Sequence, residues 1–326
     1  MNPMDSGTIT VQQGGASVRP EAKGRHDQRI IEQAKGLQPL RTAVVHPVDA
    51  LSLSGAIEAA RARLILPVMV GPEAKIRAAA EQAKLDLTPY ELVPAEHSHA
   101  AAVQAAALAR DRRVEALMKG SLHTDEFMMP ILAEEKLRTD RRMSHIFVID
   151  TPLYPRQLFV TDAAIDTYPS LSDKRDIVQN AIDLAHALGN PSPHVAILSA
   201  IETVTEKIRS TIDAAALCKM ADRGQITGAV IDGPLAFDNA VSEEAATSKG
   251  IVSPVAGRAD IFVVPDIEAG NMLAKQLEYL AGADVAGVVI GARVPIILTS
   301  RADKSLVRLG SCAIALQWAR YRVPVA

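Results

Sequence analysis

Val294-Pro295-Ile296-Ile297-Leu298-Thr299-Ser300-Arg301-Ala302-Asp303 runs an apolar segment straight into a hydroxyl, a guanidinium and a carboxylate. Val294, Ile296, Ile297 and Leu298 are the β-branched and aliphatic residues of a strand buried on both faces of a parallel sheet. The Ala, Leu and Ile positions between Ser305 and Trp318 predict the helix that follows. Thr299, Ser300, Arg301 and Asp303 then occupy a strand-to-helix turn, and open α/β sheets take ligands outside the carboxyl ends of their strands. The helix start offers unpaired N–H groups and the positive end of a dipole to an anion, and Arg301 adds a planar fork suited to phosphate or carboxylate. The plainer reading is a cap, since Ser and Asp precede many helices for that reason alone.

Outward from this stretch the same alternation covers the chain. From Arg41 onward, strands are expected at 42–46, 65–70, 91–93, 114–118 and 145–150, with helices at 51–63, 73–84, 98–110 and 126–137 between them. Thr151-Pro152-Leu153-Tyr154-Pro155 interrupts the pattern. A second series follows, with strands at 158–161, 194–198, 228–231, 260–264 and 285–290 and helices at 174–188, 202–221, 239–249 and 268–280. Such alternation predicts an α/β protein with parallel sheets and helices on both faces. The expected architecture is two three-layer α/β domains, with mostly parallel sheets and an interdomain cleft. The first domain takes 29–152 plus 294–326 and the second 153–293. Residues 1–28, rich in Gly, Gln, Ser and charge, read as a flexible leader without the apolar segment of a secretory signal.

A second polar turn, Lys119-Gly120-Ser121-Leu122-His123-Thr124, follows the strand at 114–118. Gly lets backbone approach a ligand, while Lys, Ser, His and Thr supply donors suited to phosphate. Composition narrows the function classes. The chain has 326 residues, 48% hydrophobic and 22% charged, with a net charge of −3 and 3% aromatic residues, which argues against a nucleic-acid surface. It has no long uncharged apolar run that would span a membrane, and two cysteines, Cys218 and Cys312, which suit a reducing cytoplasm better than a disulfide framework. Both cysteines lie among Ala and Leu, where a structural role is the commoner one. His97 and His99 lack the companions that would complete a metal site.

Three stretches carry a resemblance. Lys249-Gly250-Ile251-Val252-Ser253-Pro254-Val255-Ala256-Gly257-Arg258-Ala259-Asp260 continues through Ile261-Phe262-Val263-Val264-Pro265-Asp266-Ile267-Glu268-Ala269-Gly270-Asn271-Met272-Leu273. With Asp232-Gly233-Pro234-Leu235-Ala236-Phe237-Asp238-Asn239-Ala240 and the Thr299–Asp303 turn, it resembles the signature of the phosphate acetyltransferase and phosphate butyryltransferase family. The likeness spans roughly Ala43 to the C-terminus. It is nearer the butyryl branch, and nearer still to the acyltransferase half fused to an enoyl-CoA hydratase-like domain in some bacteria. The leader is too short for such a hydratase, so a free-standing acyltransferase is expected.

The resemblance implies a reversible exchange in the cleft: acyl-CoA plus phosphate gives acyl phosphate plus CoA. It implies a cytoplasmic homodimer with no tightly bound cofactor or metal, coenzyme A being a substrate. Ser300 would hydrogen-bond the CoA sulfur, and Arg301 would hold phosphate and offset charge on the attacked carbonyl oxygen. Ser121, His123 and Thr124 match the phosphate-side loop, and Gly270, Asn271 and Lys275 belong to the cleft or its support. The residue types suit the chemistry, because phosphate attacking a thioester needs a held anion, donors at the developing oxyanion and assistance at sulfur. A thiol with a pKa near ~8.5 also profits from a base at neutral pH. The acetyl branch places an aspartate seven residues after the serine, where this chain has Val307, which leaves Asp303 as the nearest carboxylate. The acetyl branch also has an arginine before the proline matching Pro130, where this chain has Met129. Both departures point to a less charged site with more apolar room. The alternatives are a non-catalytic CoA or acyl-phosphate sensor and a dehydrogenase of related two-domain fold. For the dehydrogenase, no G-x-G-x-x-G turn with its acidic partner is found.

Overall fold

Apolar strands that alternate with amphipathic helices must bury two faces of a sheet, and the described residues do so with one sheet of eleven strands. A computed structural model describes residues 25–298 and 304–322; the expected leader falls mostly outside them. The first half contains α1 (Arg25–Ala34), β1 (Leu40–Val45), α2 (Ala50–Arg61), β2 (Ile65–Gly71) and α3 (Glu73–Ala83), then β3 (Glu91–Pro94), α4 (Ser98–Arg110), β4 (Ala116–Lys119), α5 (Thr124–Ala133) and β5 (Ser144–Asp150). The second contains β6 (Leu158–Thr161), α6 (Leu171–Ala187), β7 (His194–Leu198), α7 (Arg209–Asp222) and β8 (Val230–Leu235), followed by α8 (Phe237–Val241), α9 (Glu243–Ser248), β9 (Ile261–Val263), α10 (Ile267–Leu280) and β10 (Asp284–Ile290). β11 (Ile296–Ile297) and α11 (Ser305–Tyr321) close the chain.

The strand order is β3-β2-β1-β4-β11-β10-β5-β6-β9-β7-β8. One wing, β3 to β11, is parallel throughout, and so is the other, β6 to β8. Between them β10 runs antiparallel to both β11 and β5, and β5 antiparallel to β6. The strands of the two wings therefore run in opposite directions, and the ladders through β5, β10 and β11 bring the end of β6 level with the end of β4. β11 lies beside β4, Ile297 opposite Met118, so the chain leaves β11 at the edge where β4 also ends.

Alternation along each strand sorts the core. On one face a single apolar cluster runs under both wings, from Ile30, Leu40 and Val44 through Ile146 and Val148 to Val195 and Ile197, covered by α1, α2, α3, α6, α7 and α11. The other face carries two separate clusters: one under α4 and α5 with Val45, Leu117, Val289 and Ile296, the other under α8, α9 and α10 with Ile149, Val160 and Phe262. The parting between them lies over β5 and β10.

Some boundaries differ from the sequence pattern. α1 starts at Arg25 and packs on α11, where Gln317 donates to the Ile30 carbonyl at 2.8 Å. The helix expected at 126–137 is α5, which begins two residues earlier, stops at Ala133 and yields to a single 3₁₀ turn at Glu135–Leu137. The helix expected from Glu202 begins only at Arg209, because the Thr211 hydroxyl in its first turn accepts from Thr205 N and donates to the Thr205 carbonyl, holding the residues before Arg209 in a loop. The helix expected at 239–249 divides at Ser242, whose hydroxyl accepts from Ala245 N and starts α9 afresh.

Candidate functional site

The turn after β4 is built by close backbone contact with the end of β1. Gly120 N donates to the Val45 carbonyl and Ser121 N to the His46 carbonyl, each at 2.9 Å. A Cβ on Gly120 would stand 2.4 Å from the Val45 oxygen, so only glycine allows this approach. His46, with a left-handed φ of 55°, returns its Nδ1–H to the Ser121 carbonyl at 2.9 Å. Burial of Asp49 works to raise its pKa, but hydrogen bonds from Ser121 and Ser52 outweigh that and hold the carboxyl below its ordinary value. Lys119 is buried and donates to the Leu122 carbonyl at 3.2 Å, so part of its donor capacity shapes the turn.

His123 stands at the N-cap of α5 without a side-chain capping bond, and Thr124 is the first helical residue. The first turn of α5 thus leaves N–H groups for a ligand. Asp125 and Glu126 in the same turn oppose a second negative charge, although Glu126 is engaged by the Ser98 hydroxyl.

Ser300, Arg301 and Asp303, expected at the reaction centre, lie outside the described residues. The described chain brings their neighbours to one place, since Leu298 leaves β11 alongside the end of β4. Val307 is buried in the first turn of α11.

Gly270, Asn271 and Lys275 lie across the parting, on α10. Asp266 caps that helix by accepting from Ala269 N at 2.9 Å. A Cβ on Gly270 would fall 2.9 Å from the Asp162 carbonyl oxygen and from Ala163 Cβ, so the bare residue seats α10 on the loop after β6. Asn271 donates to the Ala163 carbonyl at 3.3 Å, and Lys275, one turn further, is exposed. Gly270 and Asn271 thus join α10 to the β6 loop, on the same face as α5 but beyond the parting.

The floor of the parting escaped sequence reading. Phe147 on β5 is half-buried, and Gly287 opposite it on β10 contributes no side chain. His145 packs edge-on against Phe147 with ring centroids 4.3 Å apart. Burial pushes the His145 pKa down to about 3, and its Nδ1 has no partner among the described residues. The signal was a glycine inside an apolar strand, which marks a close approach. Asp162, at the end of β6, accepts from Ala164, Ile165 and His145 backbone N–H groups, yet burial still raises its pKa to about 6.

Burial raises both thiols, Cys218 and Cys312, to about 12, so neither is an ionised nucleophile at neutral pH. His97 caps α4 through Nδ1, which accepts from Ala100 N at 3.2 Å. Among the described residues no group of three His, Cys, Asp or Glu side chains converges as metal ligands, and no helix is long and apolar enough to cross a membrane.

Residues 95–316 match the family model described as Phosphate acetyl/butaryl transferase. The chain is 60% identical over 304 residues to a phosphate acetyltransferase of Rhizobium meliloti, covering 93% of this chain and 96% of that one. It is 40% identical over 287 residues to a phosphate butyryltransferase of Clostridium acetobutylicum, covering 88% and 95%. Its fold is similar to the crystal structure of a branched-chain phosphotransacylase from Enterococcus faecalis V583, with a TM-score of 0.74 and 27% identity over 86% of this chain and 99% of that one.

Proposed function

Because this chain belongs to the phosphate acetyl/butaryl transferase family, we propose that it exchanges a short-chain acyl group reversibly between CoA and inorganic phosphate. The observation that carries this reading is the extent of the match, which takes in β4, β11 and both sides of the parting on the sheet. A phosphate oxygen forms a bond to the acyl carbonyl carbon, the carbon–sulfur bond breaks, and CoA departs as a thiol once its sulfur has gained a proton. Arg301 holds the phosphate and offsets the developing oxyanion. Ser300 donates to the sulfur, and Asp303 is the carboxylate nearest to serve as base or to orient Arg301. Ser121, His123 and Thr124 present donors to the phosphate from the neighbouring turn, while Gly270, Asn271 and Lys275 support the far side of the cleft. The two wings act as the two domains, 29–152 with 294–326 and 153–293, in a cytoplasmic homodimer that needs no tightly held cofactor.

Acetyl-CoA is the first substrate to test, since the relative at 60% identity is named for acetyl transfer. The second reading is a longer acyl group, favoured by Met129 and Val307 in place of the charged residues of the acetyl branch. Phosphate-dependent release of CoA thiol from acetyl-, propionyl- and butyryl-CoA distinguishes them. The highest kcat/KM is expected with acetyl-CoA; a preference for butyryl-CoA would establish the second reading, and CoA binding without turnover of any of the three would leave a sensor.

A further inference from the structure

The C-terminal end of α11 borders a cavity of about 770 Å³, between the end of α4, the residues leading into β4 and the β10–β11 connection. It lies at the edge where β4 begins, opposite the edge where β4 and β11 end. Six of its lining side chains are cationic and one, Glu115, is a carboxylate.

Two helix C-termini, those of α4 and α11, meet here, and cations beside terminal carbonyls are ordinary. That accounts for three of the six. Arg110 pairs with Asp111 and Glu134. Arg320 pairs with Glu115 and donates to the Gln38 carbonyl. Arg322 donates to the Ala292 carbonyl and lies 5.6 Å over the Trp318 ring. Arg112, Lys136 and Arg293 make no ion pair or side-chain hydrogen bond among the described residues. With Lys136 in the longer-range field of Asp111, and with Arg112 and Arg293 lacking a carboxylate partner among the described residues, six cations against one lining carboxylate focus a positive field that favours an anion.

A second observation is independent of charge. Trp318, a residue of the cavity wall, is only 5% exposed, and its buried Nε1–H has no acceptor among the described residues. A buried indole N–H ordinarily finds a partner.

We propose that this cavity is a binding site for a small polyanion carrying a chain of phosphoryl groups, distinct from the cleft. Arg112, Lys136 and Arg293 hold the phosphoryl oxygens, and Trp318 Nε1–H donates to one acceptor of the ligand. A single phosphate carries too little charge to match three cations, whereas a triphosphate matches them, and the volume admits a nucleotide as well as a bare polyphosphate.

Trp318 is the sole tryptophan in the chain, so tryptophan emission reports on this cavity alone. Tripolyphosphate is titrated into the whole protein, with CoA saturating the cleft, and ATP is compared by calorimetry. The expected result is a saturable red shift in emission, weakened about tenfold or more in the Arg112→Ala/Arg293→Ala double variant. Circular dichroism checks that this variant folds. ATP binding as tightly as tripolyphosphate, or tighter, assigns the site to a nucleotide; tripolyphosphate binding alone assigns it to free polyphosphate. No emission change, a change indifferent to the double substitution, or one abolished by CoA would overturn the proposal.

Discussion

The two faces of the sheet solve different problems with the same strands. On one, a single apolar cluster passes without a break under β10 and β5 from wing to wing. On the other the clusters stop short of each other, and the strands between them carry a half-buried Phe147 and a bare Gly287. Leaving a large apolar side chain half in water forgoes part of the roughly 1.5–3 kcal/mol that full burial would yield. The unbroken face can carry the stability of the fold, which leaves the parted face free to keep open space for a ligand. Substitutions on the first should change stability without changing chemistry, and substitutions on the second should change the chemistry as well.

The largest stability effect is expected on the unbroken face. Lys174 on α6 and Asp213 on α7 are both buried and meet at 2.8 Å. Asp213→Ala strands a buried ammonium, and chemical denaturation should register a loss of about 3–5 kcal/mol, while CoA release by the folded fraction stays at the parent rate. A changed KM in that variant would break the distinction between the faces. Gly287→Ala comes next, on the parted face. Its methyl group would stand 2.6 Å from His145 Nε2, so the imidazole must shift. A cost of about 1–3 kcal/mol is expected, accompanied by altered discrimination between acetyl- and butyryl-CoA; unaltered discrimination would remove the floor from the site.

A smaller effect should appear as a pH slope at the end of β6. Asp162 is raised to about 6 by burial, above its ordinary 3.8, so the native state holds this proton more tightly than the unfolded chain. Its contribution to stability is full below pH about 4 and is lost as pH rises through about 6. The unfolding free energy of the parent minus that of Asp162→Asn should therefore fall across that window and level off above it. A difference independent of pH would show that burial of this carboxyl is not what governs it.

Much of this arrangement was legible in the residues. The strands were visible because buried parallel strands are near-continuous runs of Val, Ile and Leu, as in Ile146–Ile149 and Val195–Leu198. The helix expected at 174–188, which is α6 at Leu171–Ala187, was visible because Ile177, Ala181, Leu184 and Leu188 recur at helical spacing. The turns after β4 and β11 stood out as polar residues delivered at strand ends. The antiparallel middle of the sheet was not legible, because pairing direction is set by which edges meet in space. Nor was the role of His46, whose left-handed backbone and bond to Ser121 arise from contact across 75 residues. Gly270 read as part of a motif, but its packing on Asp162 and Ala163 is a tertiary fact. α1 went unread because its helix lies beside a leader of similar polar composition, and its partner α11 is at the far end of the sequence.

The most direct measurement is phosphate-dependent CoA release from acetyl-CoA by the parent, Ser300→Ala and Arg301→Ala proteins at equal folded concentration. The account predicts turnover by the parent only when phosphate is present, with kcat lower by about 10²–10³ in Arg301→Ala and a substantial loss in Ser300→Ala. Parent-like rates in both variants would contradict it, because acyl transfer would then proceed without the turn that follows β11.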